Sequence, residues 1–269
     1  MNINNIIRAL FIAVSVAASA VLYPVFAQAV TFDDLSMTVA FLRGNNKAGT
    51  GFFVLADHPV LVTAEHVANV LTPTSSLTVR GYNDTPINLK IGDLVSNTET
   101  LAWERHPEND VAVLRLQSPD QLHFLDKRFF PIKQLISYEA PPARNGAVII
   151  MGFPLMLGTT GRFSPISMAA KTASGLLRMR RFDTGKEATF FVLDKPSISI
   201  GGFSGGPVFM MPGITHMGGG QTLSPGKDVP TICVGLVHGY IGDEGGTLAA
   251  IVPAKAIFDT IKAAGALQK

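Results

Sequence analysis

The sequence predicts an all-β protein, built as a barrel or a sandwich of short strands. Hydrophobic residues make up 47% of the 269 positions and charged residues only 16%, and the chain holds 26 Gly and 17 Pro. This balance suits many buried strands joined by tight turns better than a helical bundle or a disordered chain. Single β domains reach about 250 residues, so the length allows one globular unit or two smaller ones.

The predicted strands are short segments rich in β-branched and aromatic residues, bounded by Gly, Pro, Asn or Asp. They are Met37–Leu42, Gly51–Leu55, Val60–Thr63, Leu77–Arg80, Val111–Leu116, Ala147–Met151, Phe190–Leu193, Val208–Met211 and Ile232–Val237. The Pro-containing stretch Ser118–Pro142 favours a connection between two halves. Only the segment after Pro253 has apolar residues at helical spacing, with Gly265 as a suitable stop.

Charge and ligand patterns exclude several classes of function. The formal net charge is +2, and the one basic cluster, Arg178–Arg181, is typical of a solvated strand edge, so no nucleic-acid partner is expected. The six His residues show no metal-ligand spacing, and no phosphate-binding loop is complete, so neither metal nor cofactor is predicted. Cys233 is the only cysteine; it is expected to be a small buried hydrophobe and can form no intrachain disulfide.

The first residues resemble an export signal. Arg8 precedes an apolar run from Ala9 to Leu22, and Ala27–Ala29 offers a small-x-small cleavage pattern. We therefore expect residues 1–29 to be removed, leaving a periplasmic or secreted chain without stable membrane insertion. The alternative is an uncleaved N-terminal membrane anchor, for which the apolar run is short.

Three short motifs carry the candidate chemistry. Thr63–Val67 places His66 after a strand, Glu108–Leu114 places an aspartate before a buried strand, and Gly201–Pro207 places Ser204 in a glycine-rich bend. Each alone has an ordinary explanation as a surface histidine, a turn-capping aspartate or a simple turn. Their joint occurrence makes His66, Asp110 and Ser204 the candidate catalytic residues.

In that order, Thr-Ala-x-His, Asp-Val-Ala-Val-Leu and Gly-x-Ser-Gly-Gly-Pro resemble the signatures of the trypsin-like serine peptidases. The segments Gly49–Phe53 and Met151–Pro154 are similar to the bacterial HtrA-like branch, and the resemblance covers Met37–Pro253. It implies two antiparallel six-stranded β-barrels, at 30–130 and 140–253, followed by a C-terminal helix at 254–266. The active site would lie between the barrels.

The resemblance further implies a serine endopeptidase that acts on peptides or proteins through an acyl-enzyme. Ser204 would be the nucleophile, His66 the base, and Asp110 the group that fixes the imidazole. The backbone N–H groups of Gly202 and Ser204 would form the oxyanion hole. A homo-oligomer is compatible with this interpretation. Two alternatives stay open, a catalytically silent binding protein of the same fold and an acyl hydrolase using the same triad.

Two departures from the family pattern have consequences. Digestive trypsin-like enzymes carry an aspartate immediately before the serine, which pairs with a newly released N-terminus, and Phe203 replaces it. That activation switch is therefore expected to be absent. HtrA-like enzymes usually add a peptide-binding PDZ module, whereas here the second barrel requires most of the chain after Ser204, so a peptidase domain alone is expected.

By resemblance, the pocket for the residue preceding the cut has Ile198 at its base and Ser199 beside it, with the strand residues His238, Gly239 and Tyr240 as a wall. Because no carboxylate occupies this base, cleavage after Lys or Arg is disfavoured and small or medium apolar residues are expected.

A competing interpretation comes from glutamyl endopeptidases, which hold the substrate carboxylate with a serine or threonine and a histidine. Ser199 and His238 look similar, but His238 falls one residue later than that pattern. In a strand, this shift would turn its side chain toward Asp110, where it could act as a supporting hydrogen-bond partner.

Overall fold

The computed structural model describes residues 32–97, 99–117, 122, 125, 128–194, 201–210, 216–217, 221–222, 231–241 and 248–267. The predicted signal segment 1–29 and part of the predicted connection Ser118–Pro142 lie outside the described residues. Within them the chain is mostly β, with two large sheets, a two-stranded hairpin and a few helices. None of the described helices has the length and apolar character that a membrane crossing requires.

The first sheet is formed by the N-terminal half of the described chain. Its strands are β1 (Val39–Gly44), β2 (Lys47–Leu55), β3 (Pro59–Thr63), β4 (Ser76–Arg80), β5 (Pro86–Lys90), β6 (Trp103–Arg105), β7 (Ala112–Arg115) and β8 (Phe130–Pro131). The order β5-β4-β1-β2-β3-β7-β6 is antiparallel throughout, and β8 adds a short parallel pairing to β2. This sheet therefore has eight strands rather than the six that the resemblance implies, and two of the eight are very short, β6 with three residues and β8 with two.

The second sheet follows in the C-terminal half. Its strands and the separate hairpin are β9 (Ala147–Gly152), β10 (Ile166–Thr172), β11 (Leu177–Arg180), β12 (Glu187–Asp194), β13 (Pro207–Met210), β14 (His216–Met217), β15 (Gln221–Thr222), β16 (Ile232–Ile241) and β17 (Leu248–Pro253). The order β10-β9-β13-β16-β17-β12 closes through pairing of β10 with β12, so six strands form a ring, as predicted for a barrel. β11 extends it from β12, and β14 pairs with β15.

The predicted strands fall on observed ones, with two kinds of difference. Met37 and Thr38 end a helix, α1 (Phe32–Thr38), because Leu35 is buried in the core and the Thr38 hydroxyl donates to its carbonyl. Strands such as β5, β10 and β11 were not predicted, since their side chains are largely exposed and polar residues interrupt the apolar pattern.

The C-terminal helix, α3 (Ala254–Ala263), begins directly after Pro253 as predicted. Its buried stripe includes Ala256, Ile257 and Ile261, which belong to the larger hydrophobic core, to which both sheets contribute. The helix ends before the predicted limit of 266, because Gly265 adopts a left-handed φ of 65°.

Aromatic side chains join the two sheets. The Phe41 ring lies 5.6 Å from that of Phe153, and the Phe130 ring lies 5.2 Å from that of Phe209, measured between centroids. In both pairs the first residue belongs to the N-terminal sheet and the second to the C-terminal half. This packing fixes the two halves against each other, so groups from both can meet with defined geometry.

Candidate active site

His66 lies on a one-turn helix, α2 (Glu65–Ala68), that follows β3. Its Nδ1 atom is 2.6 Å from Asp110 Oδ2, and its backbone N–H donates to Asp110 Oδ1 at 3.0 Å. The carboxylate thus holds both the ring and the backbone of the same residue. With a proton on Nδ1, the opposite nitrogen, Nε2, is left as an acceptor.

Asp110 is fully buried in the turn before β7. The turn is held by His106, whose Nδ1 accepts the N–H groups of Glu108 and Asn109 at 3.2 and 3.0 Å. Burial by itself would raise the pKa of Asp110, but hydrogen bonds from His238 and His66 outweigh it and keep the pKa well below the ordinary value. Asp110 therefore stays a carboxylate.

Arg181 is a buried partner of Asp110 that sequence analysis missed. Only 3% of its side chain is exposed, and the guanidinium reaches Asp110 Oδ1 at 3.1 Å, Glu65 Oε2 at 2.8 Å and Asp183 Oδ1 at 2.9 Å. Although burial would lower the pKa of Arg181, the hydrogen bonds to Asp183 and Glu65 and the charge of Asp110 raise it. The cation therefore ties the second sheet to the Asp110 and Glu65 carboxylates of the first.

The basic cluster Arg178–Arg181 is thus only partly the solvated edge predicted from sequence. β11 is an edge strand, and Arg178 and Arg180 are exposed on it, with Arg178 paired to Glu108 at 2.8 Å. Arg181 comes directly after the strand and points inward. Its burial depends on carboxylates far away in sequence, which no local pattern reveals.

His238 also binds Asp110. Its Nδ1 lies 2.6 Å from Asp110 Oδ2, and only 3% of the residue is exposed. The ring lies against Phe182 and Phe190, with centroid distances of 4.2 and 4.9 Å. The register between β16 and β17 shifts between Val237 and Gly239, so His238 is the extra residue of a β-bulge. Bulges re-aim side chains, which explains why the ring faces Asp110.

Ser204 lies in the bend before β13. Its hydroxyl donates to the His238 carbonyl at 3.2 Å, and in the described part of the chain no hydrogen bond joins it to His66. Gly202 has φ +118°, and a Cβ there would lie 2.2 Å from the Phe153 carbonyl oxygen, so this position requires glycine. Among the described residues, no acceptor binds the N–H groups of Gly202 and Ser204.

The other predicted pocket residues are only partly described. Ile198 and Ser199 lie outside the described residues. Gly239 is covered by Phe182, whose Cε1 would lie 2.6 Å from a Cβ at that position, and Tyr240 is 49% exposed. Phe203, which replaces the activation aspartate, is buried in the core of the second sheet.

The cluster of His66, Asp110 and His238 contains side chains that can bind a metal ion. One ligand atom from each of His66, Asp110 and His238 lies within 4.8 Å of the others. However, the three groups already hydrogen-bond to one another, and the Arg181 guanidinium places a positive charge against Asp110. The arrangement therefore fits the orientation of an imidazole better than the binding of a cation.

The chain matches one protein family. Residues 49–213 match the family model of the trypsin-like peptidase domain. No curated protein sequence matches the chain significantly.

Solved structures with the same fold are distant in sequence. The MamO protease domain from Magnetospirillum magneticum, in its apo form, is 15% identical over 89% of this chain and 100% of its own, with a TM-score of 0.55. The scabies mite inactivated protease paralogue S-I1 is 17% identical over 88% and 97%, with a TM-score of 0.56. An inactive mutant form of Rv3671c from M. tuberculosis is 17% identical over 88% and 91%, with a TM-score of 0.51.

Proposed function

Because the chain belongs to the trypsin-like peptidase family, we propose that it is a serine endopeptidase in which Ser204, His66 and Asp110 carry out catalysis. The observation that carries the proposal is the short contact between His66 Nδ1 and the buried Asp110 carboxylate. Such a contact fixes the imidazole with Nε2 free to accept a proton, which is what the nucleophile of an acyl transfer needs.

In the proposed reaction, the Ser204 hydroxyl turns from the His238 carbonyl toward His66 and attacks the scissile carbonyl carbon. The C–O bond to Ser204 forms while His66 Nε2 takes the hydroxyl proton. His66 then passes this proton to the leaving amine as the C–N bond breaks, leaving an acyl-enzyme that water hydrolyses by the same steps. Asp110 remains ionised and stabilises the charged imidazole.

The oxyanion formed in both steps requires donors that already point at it. We assign this role to the N–H groups of Gly202 and Ser204, neither of which donates within the described part of the chain. The burial of Phe203 in the apolar core supports a bend that holds its shape without an ion pair to a new N-terminus.

A catalytically silent binding protein is the second candidate. It is favoured by the Ser204 hydroxyl, which is bonded to a backbone carbonyl instead of His66, and by the fold's occurrence in an inactivated protease paralogue. Against it, catalytic hydrogen bonds are often long in structures without substrate and tighten only when substrate binds. An acyl hydrolase would use the same triad and differ only in substrate.

Labelling with a serine-reactive fluorophosphonate tests these candidates. We expect the wild type to be labelled, and Ser204→Ala and His66→Ala to lose both labelling and nearly all peptidase activity. The double variant should lose little more, since the two residues act as a unit. Labelling of Ser204→Ala would contradict the assignment of the nucleophile. A folded wild type that is not labelled would favour the silent binding protein. A wild type that is labelled and hydrolyses esters, but does not hydrolyse peptides, would favour the acyl hydrolase.

We also propose that this peptidase is exported, on the basis of the apolar segment and cleavage pattern within residues 1–29. Its similarity to the HtrA-like branch is part of the same proposal. Fractionation of cells expressing the full chain, followed by N-terminal sequencing, tests it. We expect a periplasmic or secreted product beginning at Val30, and a membrane-bound product with its original N-terminus would favour the anchor.

A further inference from the structure

Thr50 on β2 connects the first sheet to the bend that carries Ser204. The residue is fully buried, and its hydroxyl donates to the Gly202 carbonyl at 2.6 Å and accepts the Phe153 N–H at 3.2 Å. Its backbone N–H donates to the Ser204 carbonyl at 2.8 Å. One residue of the N-terminal half therefore makes three hydrogen bonds with the segments that surround the candidate oxyanion hole.

In the bend that carries Ser204, each backbone carbonyl of residues 201–204 accepts a hydrogen bond. The Gly201 carbonyl accepts the Leu155 N–H at 3.0 Å, and the Phe203 carbonyl accepts the Gly206 N–H at 2.8 Å. The Gly202 carbonyl accepts the Thr50 hydroxyl, and the Ser204 carbonyl accepts the Thr50 N–H. All four consecutive carbonyls of residues 201–204 thus have a donor.

The peptide unit is planar and trans, so each carbonyl and the N–H of the next residue point in opposite directions. The Leu155 bond therefore directs the Gly202 N–H away from the 153–158 loop, and the Phe203 carbonyl bond directs the Ser204 N–H away from Gly206. The Gly202 carbonyl lies on the peptide unit between these two donors. Its orientation sets the angle between them.

The Gly202 conformation needs such support. Its φ of +118° is reached only by glycine, and the same freedom would let the peptide turn over if nothing held it. The Thr50 hydroxyl is confined as well, because a Cβ at Gly152 would lie 2.8 Å from its Oγ1. With Phe203 in place of an aspartate, no side-chain carboxylate at that position can anchor the bend.

We infer that the Thr50 hydroxyl is a positioning residue for the oxyanion hole: by holding the Gly202 carbonyl toward the first sheet, it keeps the Gly202 and Ser204 N–H groups aimed at the substrate carbonyl. The inference rests on the proposed serine peptidase function. Thr50 itself touches neither substrate nor the reacting atoms.

Thr50→Val and Thr50→Ser form the decisive pair, because valine keeps the shape and removes the hydroxyl while serine keeps the hydroxyl. The matched control is Thr260→Val, since Thr260 is also buried and donates to a backbone carbonyl, Ala256, within α3. Loss of one oxyanion donor costs about 100- to 1000-fold in kcat, so a displaced donor in Thr50→Val should cost about 10- to 100-fold. We expect KM to change little and Thr50→Ser to stay within about threefold of wild type in kcat.

A second measurement separates oxyanion stabilisation from general damage. A peptide aldehyde adds to Ser204 Oγ without a leaving group, and the resulting oxygen occupies the oxyanion hole. Its affinity should fall in Thr50→Val in parallel with kcat/KM. In a Ser204→Ala background, where no adduct forms, binding of the same peptide should be unchanged by Thr50→Val.

Two results would overturn the inference. In the first, Thr50→Val has the same kcat and the same aldehyde affinity as Thr260→Val. In the second, Thr50→Ser loses as much kcat as Thr50→Val. If Thr50→Val does not fold, as judged by circular dichroism, Thr50→Cys replaces it, because a thiol is a weak donor of similar size. A folded wild type without peptidase activity or Ser204 labelling would defeat the proposed function itself, and so is distinct from either result.

Discussion

The Nδ1 atom of His238 lies 2.6 Å from Asp110 Oδ2, the same oxygen that accepts the bond from His66 Nδ1. Two imidazole rings, one from each half of the chain, therefore share one carboxylate oxygen. His238 Nε2 is buried without a hydrogen-bond partner among the described residues, so the favoured tautomer carries its proton on Nδ1 and donates it to Asp110.

Replacing His238 should therefore change the rate and leave the residue preference unchanged. His238→Phe keeps a ring against Phe182 and Phe190 but removes the donor to Asp110. A hydrogen bond to a charged group is worth about 1.5–3 kcal/mol, so we expect kcat to fall by about tenfold or more. Kinetics and cleavage profiles on a peptide library measure both quantities.

Tyr82→Phe is the control for this change, because Tyr82 is 86% exposed and does not belong to the predicted substrate pocket. Wild type is expected to prefer small or medium apolar residues before the cut. A strong preference for Glu that disappears in His238→Phe would instead support the glutamyl endopeptidase interpretation.

Removing Arg181 should destabilise the protein strongly. Arg181→Met would leave the buried Asp110 carboxylate without its cation and would also remove the ion pairs that Arg181 makes with Glu65 and Asp183. Breaking a buried ion pair from one side costs about 3–5 kcal/mol in the free energy of unfolding. Urea denaturation measures this loss. The neighbouring Arg180 is exposed, so Arg180→Met is expected to change stability little, and equal stability of the two variants would contradict the role of Arg181.

The turn that carries Asp110 should weaken in mild acid. His106 Nδ1 can accept the Glu108 and Asn109 N–H groups only when it is unprotonated, and burial lowers the pKa of His106 below its ordinary value of 6.5. The contribution of His106 is therefore present above pH 6.5 and is lost as the pH falls through the lowered pKa of the folded state.

We expect unfolding free energy, measured with urea between pH 8 and pH 5, to fall less steeply in His106→Ala than in wild type. The variant should also be less stable at pH 8, because two backbone N–H groups lose their acceptor. Parallel pH profiles for the two proteins would show that His106 does not couple the turn to pH.

Cys233 should be chemically inert in the folded protein. Burial raises the pKa of its thiol to about 12, whereas the ordinary value is 9.0. Since the thiolate is the reactive form, a disulfide reagent should label the native protein very slowly at pH 8 and label it rapidly in urea. The same shift contributes stability that is present below pH 9 and lost as the pH rises toward about 12. Rapid labelling of the folded protein at pH 8 would contradict the burial of Cys233. The Cys233→Ala variant serves as the control for labelling at any other group.

The family, the principal strands and the three catalytic candidates could be predicted because their signals are local. His66, Asp110 and Ser204 each stand in a short motif next to a strand or a glycine-rich bend, and motifs of this kind can be read without knowing the neighbours. The C-terminal helix was predicted for the same reason, from apolar spacing after Pro253 and a glycine stop.

Of the supporting residues, only His238 could be linked to Asp110 from the sequence, because its one-residue shift along a strand predicts a side chain that faces that carboxylate. Arg181 lies 71 positions from Asp110, and Thr50 lies 152 from Gly202. In the sequence, Arg181 belongs to a basic cluster and Thr50 to a glycine-flanked segment, and neither carries a local sign of its partner. The sequence by itself determined which groups are candidates for the chemistry. Only the tertiary structure decided what orients them, because a buried hydrogen bond or ion pair exists only once the two halves have packed together.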